Sequence, residues 1–209
     1  IQNMGYEVVL VSSGAIAVGR NKLNMTSKPD SMRMKQAAAA VGQCSLMYLY
    51  DKFFGDYDKT VAQILLNAED IEQEEKKENL INTFNALLEM GVIPIVNEND
   101  SVSYKEIESE DRLFGDNDML SAVVAVLCRA RHLVILSDID GFYDHDPRLY
   151  PNAKLIEQID TIDDSVYALA GGAGSRRGTG GMRTKLQAAA LATSQGTDTI
   201  VTNGKHPAA

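Results

Sequence analysis

Five apolar, β-rich runs recur along the chain: Tyr6–Val11 (YEVVLV), Lys59–Leu66 (KTVAQILL), Val92–Val96 (VIPIV), His132–Leu136 (HLVIL) and Thr199–Thr202. Stretches of helical character separate them. A helix opens after Ser12-Ser13-Gly14, and longer ones span Ser31–Phe54 and Ile71–Met90. Another starts at Asp116 with Ala122–Leu127 on its apolar side; the last two cover Asp163–Ala170 and Met182–Gln195. Continuous apolar runs joined by helical crossovers predict an α/β fold. The expected form is a three-layer αβα sandwich whose central sheet is mainly parallel, with helices on both faces. Gly5, Gly91 and Gly196 sit where helix C-caps belong. Gly141–Pro151 reads as an excursion, and Ile156–Ile159 as a short strand. The Ala37–Ala40 run permits close helix packing.

Composition narrows the function classes. The chain has 209 residues and a net charge of −9, with 44 % hydrophobic and 23 % charged residues, so it can bury a sizeable core. The negative charge argues against general nucleic-acid binding and against an anionic membrane surface. No apolar run approaches the length of a membrane span and no signal peptide is visible, which predicts a cytosolic protein. Cys44 and Cys128 lack metal-site spacing and read as buried small apolar side chains. His132, His145 and His206 are scattered, so no metal site is expected.

In open parallel sheets, ligands bind beyond the carboxyl ends of the strands. That rule collects Ser12–Gly14, Asn97–Asp100 and Ser137-Asp138 on one rim. Each has a plainer reading as a cap or a turn. Asp116-Asn117-Asp118 opens a helix and can serve only as its cap. Gly178–Lys185 (GTGGMRTK) puts glycines, hydroxyls and a lysine at a helix N-terminus. Main-chain amides, a helix dipole and an ammonium together suit phosphate, although no Walker A pattern occurs.

The segments VVLVSSGAIAVG, QAAAAVGQ, VIPIVNENDSV, FGDND, LVILSDIDGFYDHDPR and GTGGMRTKLQAA appear in an order that resembles the glutamate 5-kinases of the amino acid kinase family. The resemblance covers nearly the whole chain. It implies ATP- and Mg²⁺-dependent phosphorylation of the side-chain carboxylate of L-glutamate, at the first step of proline biosynthesis. It also implies one kinase domain over residues 1–209, with a glutamate-binding half (1–130) and an ATP-binding half (131–209). Ser13, Gly14, Asn97, Asp100, Asp116 and Asn117 match the glutamate site. Ser137, Asp138, Thr179, Gly180, Gly181, Met182, Arg183, Thr184 and Lys185 match the nucleotide site. Lys185 matches the lysine that reaches the transferring phosphate, and Asp118 the aspartate that holds it; a structural ion pair is the plainer reading of those two.

The resemblance further implies a homodimer or homotetramer and feedback by proline. The family's first strand, with a second lysine and a phosphate turn, is expected before Ile1. Its last kinase elements, and in some members an RNA-binding-like domain, would come after Ala209. Ser103–Leu113 is longer and more acidic than the simplest form of that loop. Arg176-Arg177 reads as exposed loop arginines that could also meet nucleotide. A non-catalytic module sensing an amino acid or nucleotide is the alternative function.

Overall fold

The computed structural model describes residues 1–102, 117–170 and 181–205. The chain forms two compact units, Ile1–Asn117 and Asp118–Ala209. Both are α/β and both contain parallel strands.

In the first unit, β1 (Leu10–Val11), α1 (Ala15–Lys22), α2 (Met32–Gly55), β2 (Val61–Leu66), α3 (Ala68–Glu72), α4 (Glu74–Glu89) and β3 (Ile93–Glu98) follow a one-turn 3₁₀ helix capped by Gly5. The strand order is β1-β3-β2, all parallel, with Leu10 opposite Ile95 and Gln63 opposite Ile95 on the other side. The central β3 is buried from Ile93 through Asn97. Phe84 of α4, Leu66, Ile95 and Val96 form the fully buried heart.

β1 is shorter than the apolar run Tyr6–Val11 predicts, and Pro94 supplies the reason. Ile93 donates its N–H to Thr60 on the β2 side, and the Val96 carbonyl accepts from Ser12 on the β1 side. Alternate residues point to opposite neighbours, so Pro94 faces β1, where it has no N–H to give. The ladder therefore starts only at Leu10.

The expected helix Ile71–Met90 is broken. The Asp70 carboxylate accepts from the Asn67 N–H at 2.8 Å and starts α3 early, at Ala68. Gln73 is then extended, at φ −87° and ψ 113°. α4 restarts with Glu74 and Glu75 in its first turn, where acidic groups suit the dipole. Gly91 closes it at φ 72°.

The crossing of α1 and α2 is set by small residues. A Cβ on Gly19 would lie 1.7 Å from the Ala38 carbonyl oxygen, and one on Gly42 1.7 Å from that of Ala15. The two backbones touch there. Cys44, two positions past Gly42, is turned about 200° round the helix and is exposed. The expected burial of Cys44 is thereby corrected. Cys128 is half-buried, and neither cysteine is in a disulfide.

The second unit holds α5 (Asn117–Leu127, entering it at Asp118), β4 (His132–Ser137), β5 (Phe142–Tyr143), β6 (Leu155–Ile156), α6 (Asp164–Ala170), α7 (Met182–Ser194) and β7 (Asp198–Asn203). β4 and β7 pair in parallel from His132–Asp198 to Ser137–Asn203, and β5 and β6 form a short antiparallel ribbon. Ala122, Ala125, Leu133, Ile135, Ala188 and Ala192 make one core cluster from α5, β4 and α7. The other face of β4–β7 stays uncovered among the described residues. Val134 is 50 % exposed, Leu136 55 % and Ile200 48 %. Among the described residues, no helix is long and apolar enough to cross a membrane.

Candidate functional site

In the first unit, the chain leaves β1 through Ser12-Ser13-Gly14. Ser12 is buried, its Oγ 2.9 Å from the Tyr50 hydroxyl, while Ser13 is exposed. Gly14 is the N-cap of α1 at φ 91°, a backbone geometry that glycine adopts without steric cost. Of the two serines, Ser13 is thus the one presented to solvent.

At the end of β3, Asn97 is only 3 % exposed. Its Oδ1 accepts from the Glu98 N–H at 2.9 Å, and its Nδ2 donates to Gln43 Oε1 at 2.9 Å. One of its amide hydrogens and one lone pair of its carbonyl oxygen are thereby engaged internally. Beside it lies a cavity of about 430 Å³ whose walls include Gln43, Cys44, Gln63, Glu98 and Asp100. Asp100 stands in that wall; Ser13 and Asn97 do not. Gln43 sits in the QAAAAVGQ segment, but its part in holding Asn97 was invisible there because the partners are 54 positions apart. Asn117 is the first residue of α5. Asp116 lies outside the described residues.

In the second unit, Asp118 of α5 and Lys185 of α7 form an ion pair at 2.8 Å, with side chains 16 % and 14 % exposed. Thr184 Oγ1 lies 3.0 Å from the same Asp118 Oδ2 and 2.8 Å from the Gly181 carbonyl. One hydroxyl hydrogen serves one of those acceptors at a time. Gly181 is the N-cap of α7, so Lys185 is held near a helix N-terminus. Met182 is half-buried and Arg183 exposed. Thr179 and Gly180, like Gly178, Arg176 and Arg177, lie outside the described residues.

Ser137 and Asp138 follow β4. Ser137 Oγ is 3.4 Å from Asp138 Oδ1, and the Asp138 carboxylate pairs with the Arg148 guanidinium. The Gly204 N–H donates to the Ser137 carbonyl at 2.8 Å, and Asn203 Nδ2 donates to Asp140 at 2.8 Å, tying the ends of β4 and β7 together. Arg148 belongs to the DHDPR segment, but its pairing with Asp138 has no local sequence signal.

Among the described residues of this unit, three titrating groups stand away from their ordinary values. Burial, with the nearby Asp140 carboxylate, raises the Tyr143 phenol. The Lys154 N–H holds Asp144 low, aided by His145. Asp163, which caps α6, is lowered by the Ser165 hydroxyl and by the N–H groups of Val166 and Ser165. Among the described residues, no group of three His, Cys, Asp or Glu side chains is placed to hold a metal.

The unit 2 geometry offers a cation fixed by a carboxylate at a helix N-terminus. That arrangement can bind and polarise a phosphoryl group. The unit 1 cavity offers amides and carboxylates, which suit a small zwitterion.

Residues 1–203 match the model of the amino acid kinase family. The chain is 57 % identical over 207 residues to a glutamate 5-kinase of Clostridium perfringens, covering 99 % of this chain and 77 % of that one. It is 48 % identical over 205 residues to a glutamate 5-kinase of Caldanaerobacter subterraneus, covering 98 % of this chain and 54 % of that one. In three dimensions it is similar to the isopentenyl phosphate kinase of T. acidophilum, with a TM-score of 0.59 and 17 % identity over 96 % of this chain and 76 % of that one.

Proposed function

The chain belongs to the amino acid kinase family, and from that premise we propose that it carries the phosphorylation of L-glutamate by ATP, yielding glutamyl 5-phosphate for proline biosynthesis. The observation that carries the reading is Lys185, held by Asp118 at 2.8 Å near the N-terminus of α7.

The reaction asks little of acid–base catalysis. A glutamate side chain has an ordinary pKa of about 4.3, so the nucleophile is already ionised at neutral pH. One carboxylate oxygen attacks the γ-phosphorus of ATP, the bond to the β-phosphate oxygen breaks, and ADP leaves with that electron pair. What must be supplied is positioning and positive charge on the moving phosphoryl group. Lys185 supplies charge, and Asp118 keeps its ammonium aimed. Mg²⁺ enters with ATP as part of the substrate, the usual mode for phosphate-bound magnesium.

In this reading the first unit holds glutamate, through Ser13, Gly14, Asn97, Asp100, Asp116 and Asn117. Ser137, Asp138 and the Thr179–Lys185 segment of the second unit hold ATP. Asn97 also braces the strand end through its bonds to Gln43 and the Glu98 N–H. Thr184 likewise serves through Asp118. A cytoplasmic location, assembly as a homodimer or homotetramer and inhibition by proline complete the proposal.

The test is direct. Full-length protein given ATP, Mg²⁺, glutamate and hydroxylamine is expected to form glutamyl hydroxamate in a glutamate-dependent manner. A protein that binds both substrates but yields no hydroxamate overturns the reading.

A further inference from the structure

Among the polar groups that line the cavity beside β3 is the carboxamide nitrogen of Gln43, which has no role so far. Its direction follows from a chain of two amides. The Glu98 N–H can only donate, so the Asn97 atom 2.9 Å from it is oxygen. Asn97 must then point its nitrogen the other way, and that nitrogen donates to Gln43 at 2.9 Å. The Gln43 atom there is oxygen by the same logic. Gln43 Nε2 is left with two hydrogens directed away from Asn97. No described residue accepts from them. The side chain is 9 % exposed and lines the cavity that Glu98 and Asp100 also line.

We propose that Gln43 Nε2 is a substrate-contacting donor, binding a carboxylate oxygen of the amino-acid substrate. The proposal rests on the glutamate reading of the first unit. A main-chain N–H sets the polarity of this donor through two side chains. Rotating the Gln43 amide would bring two NH₂ groups face to face and strand the outward oxygen. The wall is thus committed to an acceptor. Carboxylates on Glu98 and Asp100 in the same cavity suit an ammonium. A ligand with both groups, an α-amino acid, meets both demands.

Gln43→Glu separates this role from a structural one. The variant retains an oxygen for Asn97 Nδ2 but replaces the outward donor with a second oxygen. Losing a hydrogen bond to a charged partner weakens binding by about 10–100-fold. In the full-length protein we expect the glutamate KM to rise at least about tenfold, with the ATP KM within about twofold. If Gln43→Glu does not fold, Gln43→Ala is measured by calorimetry, with ATP binding as the control for folding. Its glutamate affinity is expected to fall by a similar factor. A folded variant with glutamate affinity within about twofold of wild type overturns the proposal while leaving the glutamate kinase reading intact. A wild-type protein that makes no glutamyl hydroxamate overturns that reading, and the proposal with it.

Discussion

In the first unit, the buried polar side chain at the strand end is a neutral amide, Asn97, held between a main-chain N–H and Gln43. In the second unit, the corresponding work falls to charge: Lys185 on Asp118, and Asp138 on Arg148. The units also differ in how their helices meet. α1 and α2 touch backbone to backbone through Gly19 and Gly42, whereas α5 and α7 join β4 through alanine side chains. The contrast teaches what each unit has to do. Neutral bonds keep a direction at any pH or salt, which suits the recognition of a small fixed ligand. An ion pair keeps an ammonium charged and aimed, which suits contact with a phosphoryl group whose charge changes during a reaction.

The strongest way to test that contrast is Lys185→Ala. Turnover is expected to fall about 10²–10³-fold with little change in glutamate KM, because the cation acts mainly on the transition state. Steady-state kinetics in both substrates would show it, and near-normal turnover would remove the charge-based half of the comparison. Next comes Gly42→Ala in the first unit. The new methyl meets a carbonyl oxygen at 1.7 Å, so α1 and α2 must separate. We expect a loss of about 1–3 kcal/mol or more in thermal or urea unfolding. That loss should be the same at low and high salt; a salt-dependent loss would blur the distinction.

Asn97→Ala is expected to cost about 1–3 kcal/mol, since it orphans the Gln43 oxygen and the Glu98 N–H. Its effect should be flat between pH 6 and 9, where neither amide titrates, and a pH-dependent loss would argue against a neutral strand end. The smallest effect belongs to Asp163→Ala at the exposed start of α6. Its carboxylate is held below the ordinary aspartate value, so its stabilisation is present above that value and is lost as pH falls through the lowered one. The melting curves of variant and wild type should therefore differ slightly near neutrality and converge in acid. A gap that persists in strong acid would mean the cap does not depend on charge.

Much of the fold was legible because it rests on local rules. The apolar runs, the glycine C-caps at positions 91 and 196, the Asp163–Ala170 helix and the small-residue face of α2 all follow from period and capping chemistry. What stayed hidden depended on a partner. Tyr6–Val11 and Val92–Val96 read alike, yet among the described residues only the second has neighbours on both sides; Pro94 shows where the first stops pairing. HLVIL reads as a buried strand, but alternate residues face outward because the described helices cover one face. The break at Gln73 needed the Asn67–Asp70 bond to be seen first. At the site, the pairing of Lys185 with Asp118 was expected from the resemblance and is present at 2.8 Å, whereas the Thr184 hydroxyl on the same carboxylate was not foreseen. Gln43 was legible only as part of a motif, since its function depends on an asparagine one strand away.

The contact between Gly19 and Gly42 has a mechanical consequence. Helices that meet through side chains have a compressible layer between them and can slide by a rotamer change. Here carbonyl oxygens lie where methyl groups would be, and no such layer exists at the crossing. α1 and α2 should therefore translate as one rod. The Ser13-Gly14 turn at the head of α1 then rides on the helix that carries Gln43, and keeps its spacing from that residue when the loops around it rearrange.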